Sequence, residues 1–364
     1  MIGVLHVVDT LALGGAERMA VNLANAMPRD RFRAHLCCTR RGGPLESEIA
    51  PHVRWFCLGR RSRFDFNAIR RLARYIADHR IELIHAQSTS VFIAGLASGV
   101  ARRGKVLWHD QYGGLRSHGR SVLPYRVISY KLAGVLAVSD ELANWSARHL
   151  KVRRDRIWYV PNFVRIQDEE VLPGEIDLPG IRGSRLVQVA NLRPQKDHLT
   201  SIRALALVVK EVPEAHLLLV GAAPDPQWTA QLFAEIHRLG LERHVTHLGP
   251  RPDVFRIVRN SDVGLLSSAS EGFPLVLLEY GAAGLAAVAT RVGQCPEILD
   301  EGRAGLLVRA GDPGQLAQAI LALLRSPGYR DELARRLQER VRTVYSPEAI
   351  LEKVLKAYES VLAG

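Results

Sequence analysis

From end to end, this chain alternates short, continuously apolar runs with segments whose apolar residues recur at helical spacing. Gly3–Val8, Ala34–Thr39, Leu83–Ala86, Val106–Trp108, Val135–Val138 and Ile157–Val160 read as strands. Between the first two, Ala16, Met19, Ala20, Leu23, Ala24 and Met27 fall on one helical stripe, and Asn67–His79 and Asp140–Leu150 repeat the pattern. A strand that is apolar at every position is covered on both faces. Helices do this in a parallel α/β sheet. The rhythm breaks once, at residues 166–184, which are acidic, aperiodic and rich in Pro and Gly. It restarts with strands Leu186–Ala190, Leu217–Val220, Val245–Leu248, Val263–Leu266, Ala286–Ala289 and Gly305–Val308. Helical patterns follow at Leu199–Lys210, Thr229–Leu239, Pro274–Ala283 and Gln315–Leu324, then at Tyr329–Val341 and Pro347–Leu362. A single core rarely serves more than about 250–300 residues, and this chain has 364. The reading is therefore two doubly wound domains, 1–165 and 185–345, joined by a linker at 166–184 and followed by a helix at 346–364. A ligand site is expected in a cleft at the carboxyl ends of both sheets.

The formal net charge of +12 is unevenly spread. Residues 1–165 hold 27 basic and 12 acidic side chains, against 22 and 25 in the remainder. A basic half beside a near-neutral one points to an anionic partner on the first domain: a membrane surface, a glycolipid or nucleic acid. Nucleic acid is disfavoured, because aromatics are only 6% of the chain and no RRM, helix-turn-helix or zinc pattern is present. Two basic segments suit anionic headgroups. In residues 60–80, Phe66, Ile69, Leu72, Ala73 and Ile76 recur between arginines, and residues 115–131 repeat the mixture. The competing reading is a helix packed on its own sheet. Cys37, Cys38, Cys57 and Cys295 have no metal-ligand spacing and fit a reducing compartment. No run of about 20 apolar residues occurs, and the chain opens directly on a strand. A cytoplasmic protein without a signal peptide is expected, with peripheral attachment to the inner membrane face.

Four stretches carry chemistry. Gly14-Gly15-Ala16-Glu17 links the first strand to a helix, where two glycines permit close backbone approach to an anion. The spacing is not the dinucleotide-binding G-x-G-x-x-G. His109-Asp110 ends a strand ahead of a Gly113-Gly114 loop. Asn191, Arg193 and Lys196 follow the first strand of the second half, with cations suited to a diphosphate. Finally, Glu271-Gly272-Phe273-Pro274-Leu275 leads into a helix carrying Glu279, two turns further on. The helix start suits a phosphate, and the two carboxylates suit two separate sets of hydroxyls.

The Glu271…Glu279 pair resembles the E-x7-E motif of retaining family-4 glycosyltransferases, which have the GT-B fold. Gly14 to Glu17 resembles that family's first-domain GGAE loop. His109-Asp110, Ala137-Val138-Ser139, Val160-Pro161-Asn162, Asn191 to Lys196, Pro296-Glu297 and the Gly305 stretch resemble further family segments in the family's order. The resemblance implies two Rossmann-like domains facing a central cleft. It implies that Glu279 binds the ribose, Glu271 the donor sugar, and Phe273 to Leu275 the donor phosphate through backbone N–H groups. Lys196 would neutralise the leaving diphosphate. His109 would lie beside the transferred sugar, and Gly14 and Gly15 would let diphosphate and acceptor approach. Gly15, Glu17, His109 and Asp110 form the expected acceptor side, and the last helix would cross back to the first domain.

Three positions depart from the family pattern. Asn191 stands where an Arg is usual, with Arg193 two residues later. Gln294 replaces a Gly of the Gly-Gly-x-Pro-Glu segment, and Phe163 replaces the Gly after Val160-Pro-Asn. The expected reaction is retaining transfer of a hexose-type sugar from a nucleoside diphosphate sugar, UDP by family frequency, to a lipid-linked glycan in bacterial polysaccharide or lipopolysaccharide assembly. No Asp-x-Asp occurs, so neither a metal nor another cofactor is expected. The alternatives are another GT-B enzyme, such as a nucleotide-sugar epimerase or a phosphorylase, and a nucleic-acid-binding protein.

Overall fold

The computed structural model describes residues 1–62, 65–112, 120–164 and 176–363. The chain forms two compact units, Met1–Arg165 with Ser346–Gly364, and Ile166–Tyr345.

In the first unit, β1 (Ile2–Thr10), β2 (Phe32–Arg41), β3 (Arg54–Cys57), β4 (Ile81–Gln87), β5 (Lys105–Asp110), β6 (Leu132–Ala137) and β7 (Ile157–Tyr159) form one sheet. Their order is β3-β2-β1-β4-β5-β6-β7, and every pair is parallel. β3 escapes sequence reading because its apolar run is only four residues long, Trp55 to Leu58, and the strand lies largely exposed at the sheet edge.

The helices of this unit are α1 (Gly15–Ala26), α2 (Phe66–Asp78), α3 (Val91–Ala101), α4 (Val122–Ile128) and α5 (Asp140–His149). Side chains of Asp65 and Ser139 cap α2 and α5 by accepting from Ala68 N (2.9 Å) and Leu142 N (3.2 Å). Alternate residues of each central strand serve opposite faces. Val4, Leu36, Leu83 and Leu107 pack with Met19 and Leu23 of α1, while Leu5, Ile84 and Val106 pack with Ile69, Leu72 and Ile76 of α2.

This packing corrects the membrane reading of residues 60–80. Of the α2 stripe, Ile69, Leu72, Ala73 and Ile76 are buried in the unit's own core and cannot face lipid, while Phe66 at the start of the helix is exposed. Residues 63–64, residues 115–119 of the second basic segment, the Gly113-Gly114 loop and residues 166–175 of the linker lie outside the described residues.

The second unit repeats the plan. β8 (Arg185–Val189), β9 (His216–Val220), β10 (Val245–Gly249), β11 (Val263–Leu266), β12 (Ala286–Thr290) and β13 (Leu306–Val308) form a parallel sheet in the order β10-β9-β8-β11-β12-β13. Its helices are α6 (His198–Val208), α7 (Pro226–Arg238), α8 (Val254–Arg259), α9 (Leu275–Ala282), α10 (Cys295–Ile298), α11 (Pro313–Arg325) and α12 (Pro327–Thr343). Asp225 and Asp312 cap α7 and α11, each followed by a proline at the first helical position.

Two glycines seat α9. A Cβ on Gly264 would lie 2.5 Å from the Tyr280 ring, and one on Gly281 would lie 2.7 Å from Val341. With both absent, α9 sits close to β11 and α12. The buried Tyr280 hydroxyl reaches the sheet backbone at Leu265 O (3.1 Å) and Val189 N (3.1 Å).

The last helix, α13 (Pro347–Ala363), packs on the first unit. Its Ile350, Val354, Ala357, Tyr358 and Val361 complete the core around α1. Lys105 Nζ donates to Val361 O at 3.0 Å, which satisfies a carbonyl at the end of the helix. No helix among the described residues is long and apolar enough to cross a membrane.

Candidate active site

In an open parallel sheet, ligands collect where the strand order reverses, outside the carboxyl ends. In the first unit that point lies between β1 and β4, and in the second between β8 and β11. The loop after each of these four strands is therefore a natural place for chemistry.

In the second unit, the loop after β8 carries Lys196 and the loop after β11 carries Glu271. Lys196 Nζ lies 2.5 Å from Glu271 Oε1, and Ser268 Oγ donates to the same oxygen at 2.6 Å. Further hydrogen bonds lock the two loops together. Ala269 N donates to Gln195 O (2.9 Å), and Gln188 Nε2 donates to both Lys196 O (3.2 Å) and Ser267 Oγ (3.0 Å). Asp197 adopts the left-handed conformation (φ 44°) and its carboxylate accepts from Thr200 Oγ1 at 2.6 Å, starting α6 immediately after the lysine. The side chains of Lys196 and Glu271 are 25% and 9% exposed, so the pair is accessible but substantially desolvated.

Glu271-Gly272 passes directly under Gly293. Gly293 has φ +50°, and a Cβ there would lie 2.2 Å from Glu271 O. Gln294 N donates to Gly272 O at 3.1 Å. Gly293→Ala is therefore expected to push the Glu271 loop off Lys196. The melting temperature should fall with the far-ultraviolet circular dichroism unchanged. An unchanged melting temperature would contradict this account of the loop.

α9 begins just past this loop. The first N–H groups of a helix have no intrahelical acceptor, and its dipole favours an anion. One sequence expectation needs correction here. Pro274 has no N–H, so only Phe273 and Leu275 of the Phe273–Leu275 set can donate. Phe273 is held by an edge-on contact with Tyr345, ring centroids 5.7 Å apart. Glu279 lies on α9, partly exposed.

Asn191 has a scaffolding bond. Its Oδ1 accepts from Ala222 N at 2.9 Å, tying the loop after β8 to the loop after β9, while Arg193 is exposed. The Gln294 side chain turns onto Glu297, with Nε2 and Oε2 2.5 Å apart, rather than standing free. Phe163 is fully buried in the first unit's core.

In the first unit, Gly15 opens α1 and Gly14 precedes it in an extended conformation. A Cβ on Gly14 would lie 2.3 Å from Glu17 Oε2, whose partner oxygen accepts from Thr10 Oγ1 at 3.1 Å. Asp9, just before this loop, gathers Thr39 Oγ1 and Thr89 Oγ1 at 2.5 Å each and Arg60 Nη2 at 3.0 Å. It joins the ends of β1 and β2 to the start of the segment after β4.

His109 and Asp110 end β5, and both are fully buried. Burial lowers the His109 imidazole to about 3, with a smaller opposing effect from the Val160 backbone. Asp110, expected on the acceptor side, is engaged within its own unit. Its carboxylate takes two hydrogen bonds from Arg120 (2.6 and 2.7 Å) and one from Tyr112 N (3.2 Å). The Arg120 guanidinium lies 4.4–5.3 Å from the ring centroids of Tyr112, Tyr125, Trp145 and Trp108. Asp110 thus anchors the chain beyond His109. Sequence reading missed Arg120, since its partner is ten residues away and its four rings come from β5, the loop after it, α4 and α5.

Comparison with known proteins follows the same division. Residues 13–168 match the domain described as Glycosyltransferase Family 4, and residues 183–326 match the one described as Glycosyl transferases group 1. The chain belongs to the family-4 glycosyltransferases. N-acetyl-alpha-D-glucosaminyl L-malate synthase of Bacillus anthracis is 34% identical to this glycosyltransferase-family chain over 231 residues, covering 62% of the chain and 58% of that protein. A phosphatidyl-myo-inositol mannosyltransferase of Mycobacterium leprae is 29% identical over 64% of the chain and 60% of its own length. The matched region thus spans under two thirds of either relative. Among solved structures, HepE of Anabaena in complex with UDP-glucose superposes with a TM-score of 0.82 at 20% identity, covering 99% of this chain and 100% of that one. The likeness establishes the GT-B fold for this family-4 chain.

Proposed function

We propose that this protein transfers a sugar from a nucleoside diphosphate sugar, UDP-linked, to a hydroxyl of a glycan or lipid-linked glycan, with retention and without a metal. The observation that carries this reading is the Lys196–Glu271 pair, set at the switch point of the second sheet beside the start of α9. An arriving diphosphate competes with Glu271 for Lys196. The carboxylate so released is available to the sugar's hydroxyls, while Lys196 and the N–H groups of Phe273 and Leu275 face the phosphates. Negative charge grows on the leaving diphosphate as the glycosidic bond breaks, and these fixed donors stabilise it most at that moment. Glu279, on α9, is the assigned partner of the ribose hydroxyls.

HepE of Anabaena is described with UDP and UDP-glucose, which favours uridine. The two relatives are named for L-malate and phosphatidyl-myo-inositol, both anionic acceptors. The first unit, with 29 basic and 15 acidic side chains once the last helix is counted, suits an acceptor of that charge.

Thermal shift with a panel of UDP- and GDP-sugars tests the donor assignment. A UDP-sugar should raise the melting temperature of the parent and leave Glu279→Ala unmoved. A parent indifferent to every nucleotide sugar refutes the assignment. EDTA should leave turnover unchanged, and loss of turnover restored by Mn²⁺ would contradict metal independence.

Attachment to an anionic membrane surface, withdrawn from α2, finds support on α3 and α4. Leu96, Val100, Leu123, Val127 and Tyr130 are 49–71% exposed, with exposed Arg102, Arg103, Arg126 and Lys131 on the same two helices or just beyond them. A Cβ on Gly95 would lie 2.6 Å from Ile128, so α3 and α4 pack closely. Large apolar side chains flanked by cations suit an anionic lipid interface. Flotation with anionic vesicles should fail for Leu123→Glu/Val127→Glu. Equal flotation of parent and variant, or equal binding to neutral vesicles, would contradict this surface.

A further inference from the structure

The first sheet carries a polar column that the proposed chemistry does not use. His6 on β1, His85 on β4 and His109 on β5 lie on adjacent strands, and His6 and His85 are register partners. Ring centroids are 5.2 Å apart for His6 and His85, and 5.1 Å for His85 and His109. His85 Nε2 is 3.1 Å from His109 Nδ1, and His85 Nδ1 is 2.6 Å from the hydroxyl of Tyr358 on α13. All four side chains are fully buried. Burial lowers His6 and His109 to about 3, takes His85 well below its usual value, and pushes the Tyr358 phenol up. The imidazoles are therefore neutral, and the phenol keeps its proton.

A neutral imidazole carries one proton, so this chain of contacts has a direction. His85 Nδ1 is the one partner described for the buried Tyr358 hydroxyl, so the hydroxyl satisfies its proton by donating there; the reverse direction would leave that proton unpaired. The His85 proton must then sit on Nε2, from which it donates to His109 Nδ1. His109 is left with its own proton on Nε2. The Val160 backbone favours a proton on His109 but does not meet this atom in full hydrogen-bonding geometry, and Nε2 of Gln87, the register partner of His109, has no such partner either. A buried donor left without a full hydrogen bond is unfavourable, and a bound oxygen acceptor removes that cost.

We propose that Tyr358 and His85 are positioning residues that lock His109 as a hydrogen-bond donor through Nε2. In this state His109 cannot act as a general base, because Nδ1 already accepts from His85 and Nε2 is protonated. The docking of α13 thereby sets the polarity of a group at the carboxyl end of β5. The role of that group in turnover rests on the glycosyl-transfer reading.

The relay is testable without any substrate. The full-length protein, labelled with ¹⁵N-histidine, is examined at pH 7.5 by long-range ¹H–¹⁵N correlation. Resonances are assigned with His109→Gln and His85→Gln. His109 should show the Nε2–H tautomer. Tyr358→Phe should shift it toward a mixture, while His6→Gln, which removes a buried imidazole but no relay bond, should not. An Nδ1–H tautomer in the parent, or an unchanged tautomer in folded Tyr358→Phe, overturns the proposal. Turnover then separates the relay from the enzyme reading. A glutamine amide reaches the Nε2 position and an asparagine amide does not. His109→Gln should retain at least ten times the kcat of His109→Asn, and equal losses would contradict the donor role. If the parent turns over no nucleotide sugar, the transfer reading fails, and the tautomer measurement still decides the relay.

Discussion

Lys196→Ala is expected to lower kcat about 100- to 1,000-fold, the usual consequence of losing one preorganised charge-stabilising donor, while weakening nucleotide-sugar binding less than tenfold. The asymmetry follows from the resting pair. Lys196 is already satisfied by Glu271 at 2.5 Å, so ground-state binding replaces one ionic partner with another. The diphosphate gains full charge only as the sugar departs, and this is when the lysine matters most. Removing Lys196 also leaves Glu271, 9% exposed, with Ser268 as a described partner. Glu271→Gln should therefore suppress turnover without abolishing UDP binding. Steady-state kinetics combined with calorimetric titration of the same nucleotide sugar separates the two effects. A Lys196→Ala variant that binds a hundredfold worse but keeps its kcat would show that the lysine serves binding alone.

The largest effect on stability is expected at Arg120. Arg120 and Asp110 are 4% and 0% exposed, and the guanidinium is enclosed by four aromatic rings. Removing one member of a buried pair strands the other charge, which typically costs about 3–5 kcal/mol. Arg120→Ala should lower the unfolding free energy by that amount. Arg120→Lys should recover little, because an ammonium offers neither the two parallel hydrogen bonds to Asp110 nor a planar face to the rings. The combination Asp110→Asn/Arg120→Met removes both charges and should recover most of the loss. Urea unfolding followed by tryptophan fluorescence reads this directly. Trp55, Trp108, Trp145 and Trp158 lie in the first unit, and Trp228 is the one tryptophan of the second. An Arg120→Ala variant as stable as the parent would contradict the assignment of Arg120 as the anchor.

The parallel sheets were legible in the sequence because burial on both faces leaves no alternation to misread. Leu217–Val220 and Ala286–Ala289 are continuous apolar runs, and both are strands buried throughout. β3 was not read because its apolar run, Trp55-Phe56-Cys57-Leu58, is only four residues long and its edge position leaves most of it exposed. The stripe of α2 was seen correctly as amphipathic. Periodicity reports that a face is apolar, not what covers it, and here the covering is the protein's own sheet. Lys196 and Glu271 were both singled out as site residues, but their pairing was not foreseen. They stand 75 residues apart and meet because β8 and β11 are neighbours. The histidine column was equally hidden. His6, His85, His109 and Tyr358 are scattered over the chain, and only the register of three strands and the seating of α13 bring them together.

The most direct test follows nucleoside diphosphate sugars by ³¹P nuclear magnetic resonance in the presence of the purified protein. Water or an added hydroxyl compound serves as acceptor, so the natural acceptor need not be in hand. The account predicts that a UDP-sugar is converted to UDP, with EDTA present, and that Lys196→Ala stops the conversion. Nucleotide sugars that all remain intact with the parent protein, or a Lys196→Ala variant that cleaves them at the parental rate, would contradict it.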